Sequence, residues 1–275
     1  MNKAPISPLS PAAPSAGDQT IGHFRERGWM RVRGAFGRDA AAAMRDVVWN
    51  TLARSGIERH DRSTWTIERP QKLQKLKDDP VFQAVGSERL MGVIAELLGV
   101  AALEPPKRWG AAFIAFPSQD VWGVPMRGWH ADAQYLSQHW PPKSVQTFAI
   151  FGDLPPRSGA TQILSGAHRL IDHWFRQHPP AAGWHSIDFR KSLQRHPYIA
   201  DLHRDGDREQ RIDRFMAVEM VDGVPLQVVE ATGDAGDVIV LHPLSLHVAA
   251  PNNGVAPRFM LSGGVTTDDH GWGGS

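Results

Sequence analysis

Apolar residues recur at helical spacing within the first hundred positions of the chain. The stretch Arg38–Ala53 places them on one side of a helix, as amphipathic helices do. These positions are Ala41, Met44, Val47, Val48 and Leu52. Ser87–Leu98 repeats the pattern, with Ser87 as the capping residue and Gly99 as the stop. Both segments are therefore predicted to be helices.

A shorter helix is predicted before them, over Gln19–Arg27, with Asp18 as its cap. Gly28 ends this helix, and the alternating stretch Trp29–Arg33 that follows is typical of a strand. Residues 18–100 are therefore predicted to form a mainly helical layer.

Beyond position 100 the pattern changes to short apolar runs that are separated by turn residues. The runs are Trp109–Phe116, Val121–Asp132, Val145–Leu154, Ala160–Leu164, Phe215–Val221, Val224–Glu230, Val238–Leu241 and Arg258–Val265. Asp222-Gly223 joins two of them and predicts a tight hairpin. The sequence thus predicts a β-rich α+β fold. Its core, over residues 105–265, would be a double-stranded β-helix (a cupin-like jelly roll), with the N-terminal helices packed on one sheet.

One long segment, His168–Arg214, interrupts the runs and carries many charges of both signs. Such a segment is either a solvated insertion or a lid over the mouth of the barrel, because long insertions in compact domains often cover active sites. Residues 18–275 are predicted to form a single domain, and residues 1–17, rich in Pro, Ala and Ser, a disordered leader.

Composition excludes several classes of function. The chain has no cysteine, which rules out disulfides, thiolate metal sites and cysteine nucleophiles. Its 30 basic and 29 acidic residues nearly cancel, so we expect no nucleic-acid partner. No apolar run approaches the ~18 residues of a membrane span, and no secretory signal is evident, so we expect no membrane partner and a cytoplasmic protein.

A candidate metal site begins at Trp129-His130-Ala131-Asp132. On an extended strand, His130 and Asp132 point to the same face, because side chains alternate with period two. Such a pair also occurs in many chains as a simple surface contact, but a second remote His would complete the two-His-one-carboxylate set of non-heme Fe(II) oxygenases. His242 and His247, near the end of a late strand, are the candidates. Arg258 opens the last strand, where it could form a bidentate clamp on a carboxylate.

These pieces, taken in order, resemble the phytanoyl-CoA dioxygenase family of Fe(II)- and 2-oxoglutarate-dependent oxygenases over roughly residues 20–265. The matching pieces are Phe24–Trp29, Trp129–Asp132, Ser158–Arg169, Gly236–Ile239 with Leu246-His247, and Asn252 with Arg258. The resemblance selects His247 over His242, because the family's Arg lies eleven residues beyond its distal His, as Arg258 does from His247.

The resemblance implies that His130, Asp132 and His247 hold Fe(II), while Arg258 clamps the far carboxylate of the co-substrate 2-oxoglutarate. Dioxygen would then oxidise a small organic molecule, by hydroxylation, desaturation or cyclisation, with release of succinate and CO₂. The family often has a Ser two residues after the distal His, where this chain has Ala249. We therefore predict that another hydroxyl assists, and Thr147 is the candidate.

Two alternatives remain open at this point. The same three side chains could hold Zn²⁺ in a hydrolase, or the chain could be a non-catalytic cupin-like binding protein. His168 is expected to be structural. Several tryptophans near the motifs favour an apolar or aromatic small-molecule substrate. They are Trp109, Trp122, Trp129, Trp140 and Trp174.

Overall fold

The computed structural model describes residues 20–71, 73–132, 141–179 and 186–267. The predicted leader at 1–17, Asp18 and Trp140 lie outside the described residues. Nine strands are assigned within these ranges. They are β1 (Trp29–Val32), β2 (Ala111–Ala115), β3 (Ser144–Ile150), β4 (Thr161–Ser165), β5 (Glu219–Val221), β6 (Val224–Glu230), β7 (Val238–Leu241), β8 (His247–Ala249) and β9 (Arg258–Thr266).

The strands form two antiparallel sheets. The large sheet has the order β1-β7-β3-β9-β2, and the small sheet has the order β5-β6-β4-β8. The order is far from sequential, as expected when a chain winds back and forth between two packed sheets. The predicted β-rich α+β fold is confirmed.

Helices α1 (Ile21–Arg27), α2 (Arg38–Ala53) and α3 (Glu88–Leu98) form the N-terminal layer. Short 3₁₀ helices join α2 to α3, at Arg62–Thr64, Gln74–Asp78 and Pro80–Val85. The sequence predicted α2 with its observed bounds, and Ser87 caps α3 by accepting a hydrogen bond from the backbone of Leu90. The cap of α1 is Thr20, whose hydroxyl accepts from His23 N.

The large sheet has an apolar core on each of its two faces, and the side chains of β3 pack into both. Val145 and Ala149 pack with the N-terminal helices, whereas Phe148 and Ile150 pack against residues of the small sheet. This alternation follows from the period of two along a strand. It confirms that the N-terminal helices cover one sheet, and it makes the other face of β3 an inner face of the barrel.

The segment between β4 and β5 is mostly helical and is called the helical insertion below. It contains α4 (Ala167–Gln177), α5 (Ser186–Leu193), α6 (Pro197–Leu202) and α7 (Arg208–Met216). Its helices share a buried apolar core with the outer face of the small sheet. Phe175 and Phe189 stack with ring centroids 5.2 Å apart, and Tyr198 meets Phe215 edge-on at 5.6 Å. The insertion is thus a packed layer on that sheet.

Two predicted strands are wrong. Phe215 belongs to α7, so the predicted run Phe215–Val221 becomes a strand only from Glu219. The run Val121–Asp132 forms no strand. It pairs with a strand through one isolated bridge, at His130.

The turn before β6 follows its prediction. Asp222 and Gly223 both have positive φ, at 48° and 74°, as a type I′ hairpin requires.

Within the described part of the chain, no helix is long and apolar enough to cross a membrane.

Candidate active site

A single pair of backbone hydrogen bonds brings His130 beside His247. His130 N donates to His247 O at 3.1 Å, and His247 N donates to His130 O at 2.9 Å. On its other side, His247 pairs with Ile163 of β4. One rung of antiparallel ladder therefore attaches the segment around His130 to the edge of the small sheet, although no strand forms there.

The side chains of His130, Asp132 and His247 meet at one place, and this cluster is called the triad. Asp132 Oδ1 lies 3.5 Å from His130 Nε2, and Asp132 Oδ2 lies 3.9 Å from His247 Nε2. One ligand atom from each residue falls within 4.8 Å of the others. Two imidazoles and one carboxylate on one side of a centre are the donor set that non-heme Fe(II) sites use.

Both imidazoles have Nε2 available to a metal. The Nδ1 of His130 lies 2.7 Å from Gly128 O, and that of His247 lies 3.1 Å from Ser245 O. A carbonyl oxygen only accepts, so each Nδ1 carries the proton and each Nε2 keeps its lone pair. Burial, together with neighbouring His130 and against the opposing effects of Asp132 and the Ser245 backbone, lowers the pKa of His247 to about 4, so the ring is neutral at neutral pH. The triad therefore fits a divalent metal.

His242, the other candidate from the sequence, lies elsewhere. Its Nδ1 accepts a hydrogen bond from Leu244 N at 3.2 Å, and its ring lies 4.9 Å from that of His168. His168 Nε2 in turn lies 3.0 Å from Arg25 O on α1. These two histidines join the start of the helical insertion to the N-terminal layer, and neither belongs to the triad.

Gln146 contacts the triad from the inner face of β3, and no motif in the sequence pointed to it. Its side-chain nitrogen donates to Asp132 Oδ2 and lies 3.5 Å from His247 Nε2. Thr147 follows it on the strand and therefore points the opposite way, toward the N-terminal helices. The structure thus does not bring Thr147 together with the triad. Regular alternation could have identified Gln146 only if the inner face of β3 had been known.

Arg258 begins β9 and lies on the inner face of the large sheet, where 3% of the residue is exposed. Its Nη1 donates to Gly159 O at 2.7 Å, while Nε has no hydrogen-bond partner among the described residues. Burial lowers the pKa of Arg258 to about 10, with Arg69 adding to the shift and Glu68 opposing it. The guanidinium is still charged at neutral pH, so this buried cation, with an N–H group unpaired among the described residues, is suited to bind an anion.

A buried hydroxyl lies near the carbonyl group that accepts the hydrogen bond from Arg258. Thr161 stands two residues after Gly159, the acceptor of the Arg258 hydrogen bond, and pairs directly with Ala249 in the register of β4 and β8. The hydrogen-bond partner found for its hydroxyl is the sulfur of Met260, at 3.9 Å, and a thioether is a weak acceptor. Thr161 therefore offers an inward hydroxyl directly across from the position where the family often has a Ser.

Comparison with known protein families shows to which family this chain belongs. The family model of the phytanoyl-CoA dioxygenases (PhyH) matches residues 24–260. The chain belongs to the phytanoyl-CoA dioxygenase family. Members of this family are oxygenases that use Fe(II), 2-oxoglutarate and O₂, and the triad provides the matching donor set.

Solved structures share the fold of this family member at low identity. AviO1 from Streptomyces viridochromogenes Tue57 is 15% identical with a TM-score of 0.50, over 91% of this chain and 94% of that one. SnoK, a non-heme alpha ketoglutarate dependent carbocyclase from nogalamycin biosynthesis, is 14% identical with a TM-score of 0.52, over 96% and 92%. A search of the curated proteins gives no match.

Asn252, which matches the family's Asn, builds the turn that leads into Arg258. Its side-chain nitrogen donates to Ala115 O at 2.9 Å and to Ala256 O at 2.8 Å, and its oxygen accepts from Gly254 N. The residue is fully buried. It therefore fixes the start of β9 against β2 and, with it, the backbone from which Arg258 extends.

The four described tryptophans near the motifs are held by packing and hydrogen bonds in this family member. Trp109 is buried in the core beneath the N-terminal helices. Trp122 donates to the buried Glu230 at 3.0 Å, Trp129 donates to a backbone carbonyl at 2.7 Å, and Trp174 stacks on a histidine at 3.8 Å. These contacts give no support to the expectation of an aromatic substrate.

Proposed function

We propose that this chain is an Fe(II)- and 2-oxoglutarate-dependent dioxygenase that hydroxylates, desaturates or cyclises a small organic molecule. His130, Asp132 and His247 hold the iron, and Arg258 binds the far carboxylate of 2-oxoglutarate. The observation that carries the proposal is the combination of a metal-type triad with a buried and incompletely paired arginine on the inner faces of one barrel.

The residues of the triad have separate roles. His130 and His247 each present Nε2, because backbone carbonyls hold their Nδ1 protons. Asp132 adds the one negative charge, which favours a cation at this place. When bound, iron and 2-oxoglutarate together activate dioxygen, and the co-substrate leaves as succinate and CO₂; the protein supplies binding and orientation.

The co-substrate site is built from two strands that face each other. Arg258 supplies the charge, and a charge-assisted hydrogen bond to a carboxylate is about twice as strong as a neutral one. Thr161 supplies the hydroxyl that Ala249 lacks, because the two residues are directly paired across β4 and β8. Thr161 takes over the role that the sequence analysis gave to Thr147.

The substrate reaches the triad from the side of His130. The side chain of His130 is 45% exposed and that of Asp132 is 25% exposed, whereas His247 is 5% exposed. The outcome is hydroxylation, or ring closure of the kind that the name of SnoK describes, if the substrate presents two reactive positions.

A zinc hydrolase and a non-catalytic binding protein are the alternatives, and Arg258 argues against both. Neither needs a buried cation for a second carboxylate, and a buried charge without a partner is costly. An intact triad also gives no reason to expect a vestigial site.

The test is a titration and a product assay on the same protein. Under anaerobic conditions we expect one Fe(II) per chain and saturable binding of 2-oxoglutarate to the iron-loaded protein. On admitting oxygen, succinate should form in step with the loss of 2-oxoglutarate. Iron binding without succinate formation would contradict the proposal, and product mass spectrometry with candidate substrates separates a gain of one oxygen from a loss of two hydrogens.

A further inference from the structure

Gln146 connects the centre of the large sheet to the triad. Its β3 strand lies between β7 and β9, and the residue is 3% exposed. The side-chain nitrogen donates to Asp132 Oδ2 and lies 3.5 Å from His247 Nε2. One amide group thus contacts two of the three proposed ligands from the opposite sheet.

We propose that Gln146 is a positioning residue that fixes the carboxylate of Asp132 for metal binding. The proposal rests on the proposed function, because it assumes that the triad is the metal site. Gln146 acts through Asp132, and it need not touch metal, co-substrate or substrate.

Asp132 needs such support because few of the described residues hold it. It lies in a bend beyond the His130–His247 rung, and no ladder of backbone hydrogen bonds from the described residues fixes its direction. Among the described residues, Gln146 is the hydrogen-bond donor to its carboxylate. With Oδ2 bound to the amide, Oδ1 is left facing His130 Nε2, 3.5 Å away. The amide therefore distinguishes the two oxygens of Asp132.

A primary amide suits this place better than other side chains would. Its NH₂ group donates to Asp132 Oδ2, whereas His247 Nε2, 3.5 Å away, keeps its lone pair for the metal. A carboxylate at position 146 would repel Asp132, and an apolar side chain would leave Oδ2 without a donor. Rigid elements hold such supporting groups most accurately, and β3 is hydrogen-bonded to a strand on each side.

The test compares metal binding in three variants with that of the wild-type protein. Gln146→Met keeps an unbranched side chain of similar length but removes the donor, and Gln146→Asn keeps the amide but is one methylene too short to reach. Thr147→Val is the matched control, since it alters the adjacent residue on the same strand, on the face turned away from the triad. Each is titrated anaerobically with Fe(II) and, separately, with Co(II), whose absorption spectrum reports on its ligands.

Loss of an outer partner of a metal ligand typically lowers metal affinity by about 10–100-fold. We expect that loss in both Gln146 variants, together with a changed Co(II) spectrum, while Thr147→Val keeps wild-type affinity and spectrum. Melting curves of the apo-proteins check that each variant is folded. If Gln146→Met does not fold, the test uses Gln146→Asn alone.

Three results would overturn the inference. Wild-type affinity and spectrum in the Gln146 variants would show that Asp132 needs no support from the amide. An equal loss in Thr147→Val would show a general effect of altering β3. If wild-type protein bound neither metal, the proposed function would fail first, and this inference with it; the other two results would overturn this inference alone.

Discussion

The two ends of the proposed active site, the metal end and the co-substrate end, are built in different ways. The metal end takes two ligands from one short segment and one from β8, and its side chains range from 5% exposed for His247 to 45% for His130. The co-substrate end, formed by Arg258 and Thr161, is closed, with each residue 3% exposed. At the metal end, His130 and Asp132 are close because they lie two positions apart in the sequence. At the co-substrate end, the position of Thr161 depends on the register of β4 with β8.

This difference matches what each end has to bind. The metal end must remain open to a substrate, so it tolerates partly exposed ligands and relies on hydrogen bonds such as that from Gln146 for order. The co-substrate end binds a charged carboxylate, and a charge-assisted contact is strongest where water is excluded. Variants should therefore separate the two ends, each affecting the binding of one partner.

The largest expected effect is at the metal end. His247→Ala removes one of three ligands, so the loss of Fe(II) affinity should exceed the roughly 100-fold that loss of an outer partner can cost. His242→Ala is the control, because His242 lies outside the triad and contacts Leu244 and His168. Anaerobic titration checks both variants, and the reverse result would assign the ligand to His242.

Arg258→Ala should have the next largest effect, on 2-oxoglutarate alone. Truncating one partner of a buried charge pair costs about 2–5 kcal/mol. This corresponds to at least a ~30-fold weaker affinity for the co-substrate, at ~1.4 kcal/mol per decade. Arg69→Ala is the control, since that arginine is 49% exposed and acts on Arg258 only through its charge. Calorimetric titration of the metal-loaded protein measures the effect, and an unchanged affinity would contradict the assignment.

Thr161→Val should weaken 2-oxoglutarate binding by about tenfold, because a hydrogen bond to a charged group contributes about 1.5 kcal/mol or more. The register offers a rescue, since Ala249→Ser places a hydroxyl directly across the strand pair. The double variant Thr161→Val with Ala249→Ser should regain most of the lost affinity in the same titration. Unaltered binding in the single variant would leave Arg258 as the sole anchor.

The smallest expected effect is that of Thr147→Val on 2-oxoglutarate. The residue is buried with 1% exposed, and its side chain points toward the N-terminal helices, away from the barrel. Affinity for the co-substrate should therefore remain unchanged within twofold. A tenfold loss would transfer the hydroxyl role from Thr161 back to Thr147.

Local signals in the sequence predicted many of the elements. The spacing of apolar residues predicted α2, the capping Ser and closing Gly predicted α3, and Asp222-Gly223 predicted the β5–β6 turn. The His-x-Asp spacing indicated two triad residues, although they do not lie on the strand that was assumed. A single bridge to His247 gives the same proximity that a strand would have given.

Other parts depend on contacts that no local pattern contains. The stretch Ser144–Ile150 is buried on both faces, so its polar and apolar residues do not alternate and cannot show which side faces the barrel. Because of this ambiguity, nothing in the sequence singled out Gln146 and nothing excluded Thr147. Thr161 was missed because its partner Ala249 is far away in the chain, and only the register of β4 with β8 brings the two together.

The rung between His130 and His247 has a consequence for the order of assembly. Backbone hydrogen bonds place these residues side by side without a metal. The entropic cost of closing the long loop between them is therefore part of folding and is not added when the metal binds. The metal then binds to side chains that the fold already holds close together. Removing the ion with a competing chelator should leave the barrel folded and ready to be reloaded, unlike small zinc domains that unfold without their metal.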